Sequence, residues 1–276
     1  MRVVEVGGLD VAYEQAGSGP PVALAHGFVG DGRSTWGSQI DALADEFTVV
    51  AWDAPGAGSS QDPPADFGMD DYADCFAAFL RALRIEPTHL VGLSFGGALV
   101  LATFRRHRDI ASSLALVSGY AGWRGSLGVA AAQHRLTRSL ELSELPPDEF
   151  AAALLPTMFS PSINGDAVAR FMDSVRAFRP GGFRAMARAC VEDQREVLPD
   201  VDVPMLLLYA DHDVRAPAKV GEAIHAAVRG SELVVLHGPG HISSVEAPEV
   251  VTYELRRFLR SVSQSVARRT RRHASP

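Results

Sequence analysis

From its first residues to Val117 the chain alternates short apolar runs with segments of helical spacing, and this alternation restricts the possible fold more than any other feature. Arg2–Val6 and Leu9–Gln15 read as a hairpin around Gly7-Gly8. Pro21–Ala25 and Phe47–Trp52 are short apolar strands, and Trp36–Leu43 between them has the apolar spacing of a helix packed on a sheet. Met69–Leu83 repeats the helical pattern, with Asp70 and Asp71 near its start, where the helix dipole favours acids. A strand at His89–Val91, a helix to Arg106 and a strand at Leu114–Val117 follow. Such alternation implies an α/β fold, a mostly parallel sheet with helices on both faces.

After Ser118 the pattern changes. Between Tyr120 and Pro199 there is no convincing strand, only helical candidates separated by Pro146-Pro147, Pro156, Pro161 and Pro180-Gly181-Gly182. Alternation resumes with a strand at Met205–Tyr209, a helix from Ala218 to Val228, a strand at Glu232–Leu236 and a helix at Pro248–Leu259. Residues 1–119 and 200–262 therefore read as one core. Residues 120–199 read as a helical insertion over the C-terminal ends of the strands, the edge where open α/β sheets bind ligands. Residues 263–276 read as a basic, disordered tail. The insertion is rich in Phe and Met, most of which should pack it onto the core. Phe150, Met158, Phe159, Met172, Phe178 and Met186, with Phe28 and Ile242 from the core, are candidates to line an adaptable apolar pocket.

The most specific chemistry lies in Val91-Gly92-Leu93-Ser94-Phe95-Gly96-Gly97, where a Gly-x-Ser-x-Gly follows an apolar strand and opens a helix. Strand, sharp turn and helix is the setting of a nucleophile elbow. Gly92 and Gly96 remove side chains that the crowded turn would not admit. Ser94 at the apex would take a strained conformation with its hydroxyl in a cleft, beside the backbone N–H groups that begin the helix.

A serine hydroxyl needs a general base, itself oriented by an acid. Among nine histidines, His241 stands out in Gly238-Pro239-Gly240-His241, a glycine-rich loop after the last strand that can carry an imidazole over the sheet. His237, its nearest rival, falls at the strand end. For the acid, Asp211 and Asp213 both follow the strand ending at Tyr209, whereas the loop after Leu114–Val117 reads Ser118-Gly119-Tyr120 and offers no carboxylate. Ala25-His26-Gly27-Phe28 follows an apolar strand expected beside the elbow. Its glycine lets the Phe28 N–H face Ser94, with the Phe95 N–H as the second donor of an oxyanion hole. His26 is expected to fix this loop by hydrogen bonds.

Composition bounds the rest. The 276 residues are 47% apolar and 21% charged, ordinary for a soluble globular protein, and no apolar stretch is long enough to span a bilayer. The N-terminal residues lack the pattern of a secretory signal. Two distant cysteines, Cys75 and Cys190, give no disulfide framework and no metal-ligand spacing, and suggest a reducing, cytoplasmic setting. Net charge is −7; residues 261–276 hold four arginines and no acid, so residues 1–260 carry −11. Such a body argues against nucleic acid as a partner. The expected partner is a small-molecule substrate, with no membrane, metal or cofactor involved, and the oligomeric state is open.

Together these residues resemble the α/β-hydrolase superfamily, in its lidded branch of esterases, lactonases, carbon–carbon bond hydrolases and cofactor-free perhydrolases. The resemblance covers roughly residues 3–260 and rests on His26-Gly27-Phe28, Asp53-Ala54-Pro55-Gly56-Ala57-Gly58-Ser59, the elbow, the acid loop and Gly240-His241. It implies an eight-stranded, mostly parallel sheet with a helical cap inserted after the sixth strand, and the chain order Ser94, Asp213, His241 for a catalytic triad. The family's acid loop usually reads Gly-x-x-Asp-x-x-x-Pro; here Ala210 replaces the glycine, while Asp213 and Pro217 fit, which favours Asp213 over Asp211. Asp53 matches a structural turn. Ser94 excludes the aspartate nucleophile of haloalkane dehalogenases and similar epoxide hydrolases, and Val29–Trp36 lacks the asparagine usual in carbon–carbon bond hydrolases. The resemblance thus implies hydrolysis of a small, largely apolar ester or lactone. Carbon–carbon bond hydrolysis of diketone-like ring-cleavage products, perhydrolysis, and a silent ligand-binding homologue are the alternatives.

Overall fold

A computed structural model describes residues 1–161 and 165–273, with side chains as far as residue 265. Its sheet has eight strands: β1 (Arg2–Val6), β2 (Leu9–Ala16), β3 (Pro21–Ala25), β4 (Thr48–Trp52), β5 (Thr88–Leu93), β6 (Ala111–Val117), β7 (Met205–Ala210) and β8 (Glu232–Leu236). Their order across the sheet is β1-β2-β4-β3-β5-β6-β7-β8. The β1–β2 and β2–β4 pairs are antiparallel and all the others parallel. The central strands are near-continuous apolar runs because helices cover both faces. Val22, Leu24, Leu90, Val91, Leu114, Leu206, Leu207 and Leu208 are wholly buried. On β1, an edge, only Val6 is buried.

Register brings the candidate residues to one edge. Ala25 pairs with Gly92, so the His26-Gly27-Phe28 loop leaves β3 beside the end of β5. Val117 pairs with Leu208 and Ala210 with Leu236, which aligns the loops after β6, β7 and β8 at the same C-terminal ends.

In chain order the helices are α1 (Gly32–Leu43), α2 (Met69–Leu83), α3 (Phe95–Arg106), then α4 (Trp123–Leu127), α5 (Val129–Leu142), α6 (Pro147–Met158), α7 (Asp166–Arg176) and α8 (Pro180–Ala189) between β6 and β7. After them come α9 (Ala218–Ala227), a short α10 (Ser243–Glu246) and α11 (Pro248–His273). Helix α1 starts four residues before the apolar stripe that marks it in the sequence. Asp31 caps it, its carboxylate accepting from Ser34 N at 2.7 Å while Ser34 Oγ accepts from Asp31 N at 3.0 Å.

The insertion is helical, without a strand among the described residues, but Pro156 and Pro180-Gly181-Gly182 fall inside helices, and Pro147 of the pair Pro146-Pro147 is the first residue of α6. Pro156 lies within α6. It removes one hydrogen bond and crowds the carbonyl four residues back, yet only two residues of helix follow it. Pro180-Gly181-Gly182 opens α8, with Pro180 in the first turn, where a missing N–H leaves nothing unpaired. Gly182 is also where α8 meets the core. A Cβ there would stand 2.1 Å from Gly56 O, and one on Gly56 would stand 2.5 Å from Gly182 Cα, so the two backbones touch only because both residues are glycine.

Helix α11 differs from expectation at its far end, running to His273 through much of the region read as a disordered tail. No Gly or Pro interrupts residues 249–273, and Ala and Arg propagate a helix well. Residues 274–276, and the side chains of Arg268, Arg269, Arg271 and Arg272, lie outside the described residues.

Candidate active site

Ser94 follows β5 and precedes α3 with φ 55° and ψ −111°, a conformation that a residue bearing a side chain adopts only under strain. The turn is tight enough to demand its glycines. A Cβ on Gly92 would lie 2.0 Å from Gly96 O, and one on Gly96 would lie 2.2 Å from Ala25 O. Ser94 N donates to Val117 O at 3.0 Å, which ties the elbow to β6.

The loops after β7 and β8 meet this serine. Ser94 Oγ donates to His241 Nε2 at 2.9 Å, and His241 Nδ1 donates to Asp213 Oδ2 at 2.9 Å. Asp213 Oδ1 accepts from the backbone N–H of Arg215 at 2.8 Å and of Ala216 at 2.9 Å. All three side chains are buried. Burial alone would push the Asp213 carboxyl up. The His241 ring, its hydrogen bond and the Ala216 N–H outweigh that and hold it at about 2. Asp213 is therefore an acceptor only, which fixes the proton of neutral His241 on Nδ1 and leaves Nε2 free to accept. Burial lowers the His241 pKa, against the pull of Asp213 and with help from the nearby cations Arg215 and Arg135.

The rival pair is elsewhere. Asp211 and His237 bond to each other at 2.9 Å, and the His237 side chain is 88% exposed.

Gly27 lies against the serine: a Cβ there would be 3.6 Å from Ser94 Cβ. The Phe28 and Phe95 N–H groups belong to buried residues, and neither donates a hydrogen bond among the described residues. Unpaired N–H groups are rare in buried residues, and these two directly follow Gly27 and Ser94 in the chain. His26 holds their loop. Its Nδ1 donates to Gly27 O at 2.5 Å, and its Nε2 accepts from Ala54 N at 2.9 Å. Asp53 accepts from Gly32 N and Ser59 N, both at 2.9 Å, and so ties its own turn to the start of α1.

A crevice too narrow to hold a water molecule lies at Ser94 and His241 and is lined by Phe28, Met158 and Ile242 among others. Phe28, Phe178 and Met186 also line an adjoining cleft of about 50 Å³. Of the other pocket candidates, Phe150 stacks on Phe178 with centroids 3.7 Å apart, Phe159 meets Phe171 edge-on at 5.6 Å, and Met172 is buried; none of the three lines either space. A wider cleft of about 460 Å³ between α1, α7 and α10 contains none of the catalytic candidates.

The structure adds residues that the sequence reading did not single out. Glu246 accepts from Gly240 N at 2.9 Å and from Ser160 N and Oγ, while Ile242 N donates to Met158 O at 3.0 Å, so the His241 loop is clasped to the end of α6. Arg215 lies over the Phe28 ring at 5.4 Å, and Arg135 over Tyr120 and Trp123, each at 5.5 Å. Arg215 follows the acid by two positions, but an arginine in a polar loop gives no sign of where it points. Among the described residues no group of three or more His, Cys, Asp or Glu is placed to hold a metal, and no helix is long and apolar enough to cross a membrane.

Comparison with known proteins agrees with this fold. A thermophilic esterase from Thermogutta terrifontis is 29% identical and superposes with a TM-score of 0.87 over 95% of this chain and 99% of that one. A pyrrolizixenacetamide deacetylase of Xenorhabdus hominickii is 26% identical over 279 residues, covering 95% of this chain and 98% of its own. The enol-lactonase of Burkholderia xenovorans LB400, 24% identical, shares the fold with a TM-score of 0.85 over 94% of this chain and 99% of its own. The model of the alpha/beta hydrolase fold family matches residues 20–248. By strand order, by the elbow and by that match, the chain belongs to the alpha/beta hydrolase fold family.

Proposed function

We propose that this hydrolase cleaves a small, largely apolar carboxylic ester or lactone through an acyl-enzyme, with Ser94 as nucleophile, His241 as general base and acid, and Asp213 as the group that orients the imidazole. The observation that carries the reading is the buried chain of two hydrogen bonds, each 2.9 Å, from Ser94 Oγ through His241 to Asp213. Relatives named for esterase and deacetylase activity support the same class of reaction.

Ser94 Oγ attacks the substrate carbonyl carbon as its proton passes to His241 Nε2. The carbonyl oxygen becomes an oxyanion facing the N–H groups of Phe28 and Phe95; one such donor is worth on the order of 10² to 10³ in rate. Asp213, already ionised, stabilises the imidazolium. The tetrahedral species collapses, the bond to the leaving oxygen breaks, and that oxygen takes the proton from Nε2. Water then attacks the acyl carbon, gives its proton to His241, and the acid departs as Ser94 recovers its hydrogen. Every step uses groups of the chain itself. The buried, unpaired Cys75 and Cys190 suit a reducing, cytoplasmic setting.

Rapid mixing with 4-nitrophenyl acetate tests the reading. A burst of nitrophenolate and an acetyl adduct on Ser94, both absent in Ser94→Ala, are expected. A Ser94→Ala protein with undiminished turnover contradicts it.

A further inference from the structure

Arg215 lies over the ring of Phe28, which lines the space at Ser94 and His241, and Arg135 stands beside it; neither has a carboxylate partner among the described residues. Both side chains are half-buried, and an arginine largely withdrawn from water is normally paired. Arg215 Nη1 donates to Thr157 Oγ1 at 2.9 Å, at the end of α6. Its Nε is buried without a partner, and its Nη2 makes no hydrogen bond among the described residues. These two N–H groups form the side edge of the guanidinium, whose spacing matches the two oxygens of a carboxylate.

The nearest acid does not fill that edge. Asp213 has committed Oδ1 to the backbone of Arg215 and Ala216 and Oδ2 to His241. Arg135 reaches in from α5, donating to the Tyr120 hydroxyl at 2.7 Å and to Arg215 O at 3.0 Å, and so adds charge beside the unfilled edge. Stacking of Arg215 on Phe28 at 5.4 Å accounts for the position of the plane but satisfies no N–H. Phe28 also lines the space at Ser94, so the Arg215 guanidinium stacks on a residue of that wall.

We propose that the substrate carries a carboxylate beside its scissile ester or lactone, held by the Nε–Nη2 edge of Arg215, with Arg135 reinforcing the field. The substrate is then a half-ester or lactone of a dicarboxylic acid, apolar between its two ends. This inference rests on the hydrolase reading above and specifies the substrate of that same site.

The test compares 4-nitrophenyl hemiesters of succinic, glutaric and adipic acids with the same esters methylated at the distal carboxyl. Charge-assisted hydrogen bonds of this kind correspond to about tenfold to a hundredfold in kcat/KM. The wild-type enzyme should prefer at least one hemiester by about that factor, mainly through KM. Arg215→Gln should bring the ratio near one, and Arg215→Lys should keep part of it, as a point charge without the fork. A wild-type enzyme that turns over the methylated esters as well as or better than every hemiester overturns the inference and leaves the serine-hydrolase reading standing. Calorimetry with glutarate supplies a readout independent of turnover. Binding to wild type that weakens at least tenfold in Arg215→Gln supports the site, and failure of millimolar glutarate to bind wild type overturns it.

Discussion

Two adjacent glycines at the start of α8 should respond in opposite ways to the same substitution. Gly181 has nothing within 4 Å of the position a Cβ would take, and neither glycine has a positive φ. Gly181→Ala therefore only restricts the unfolded chain and should stabilise the protein by about 0.4–1 kcal/mol. Gly182→Ala gains the same restriction but puts its methyl 2.1 Å from Gly56 O and 2.4 Å from Gly56 Cα. Backbone atoms must then separate by more than 1 Å to reach van der Waals contact at about 3.5 Å, and overpacking of this kind costs about 1–3 kcal/mol. The two variants should differ by about 1–3 kcal/mol, or about 2 °C or more in Tm for a domain of this size. Thermal unfolding followed by circular dichroism measures the difference. Because Phe183, one residue on, stacks on Phe28 at 5.0 Å, Gly182→Ala should also raise KM while Gly181→Ala does not. Equal Tm values, or Gly182→Ala as the more stable, would refute the claim that a glycine–glycine contact seats the cap.

Other consequences concern the base and the acid. His241 must be neutral to accept the Ser94 proton, and burial lowers its pKa from 6.5. The acid limb of log kcat/KM should fall below pH 6.5 and the profile should be flat above it to pH 8; a midpoint above 7 contradicts the burial argument. In Asp213→Asn, the backbone N–H groups of Arg215 and Ala216 keep the amide oxygen, so its NH2 faces His241 Nδ1 and forces the proton onto Nε2. The wrong tautomer should cost on the order of 10⁴ in kcat, whereas Asp211→Asn, at the exposed pair with His237, should leave kcat within about twofold. An equal loss in both would contradict the assignment of the acid.

Where side-chain direction follows from strand register, the sequence was informative. The apolar runs at Pro21–Ala25 and Glu232–Leu236 coincide with β3 and β8, and Met69–Leu83 with α2, because burial on both faces or along one stripe leaves a periodic trace. Once the strands are ordered, Ser94, the acid loop and Gly240-His241 must share an edge. The cap was less legible. Pro156 and Pro180-Gly181-Gly182 carry local breaking signals, yet a helix end tolerates the first and a helix start uses the second. Which Phe or Met faces the pocket depends on helix rotation, which one chain does not encode in an obvious period; Phe178 and Met186 reach a cleft while Phe150 and Met172 are spent on packing. Arg215 went unremarked because its significance lies in partners it lacks, and a missing partner is visible only in three dimensions. The length of α11 was underestimated because charge was taken as a sign of fraying, though arginine is a good helix former.

The central claim is that Ser94 is an activated nucleophile. Reaction of the folded protein with a fluorophosphonate, followed by intact mass and peptide mapping, tests it most directly. The account predicts a single adduct on Ser94 in the wild-type protein and none in His241→Ala over the same interval. No adduct on the wild type, with small probes able to enter, or labelling that is indifferent to His241, would contradict it.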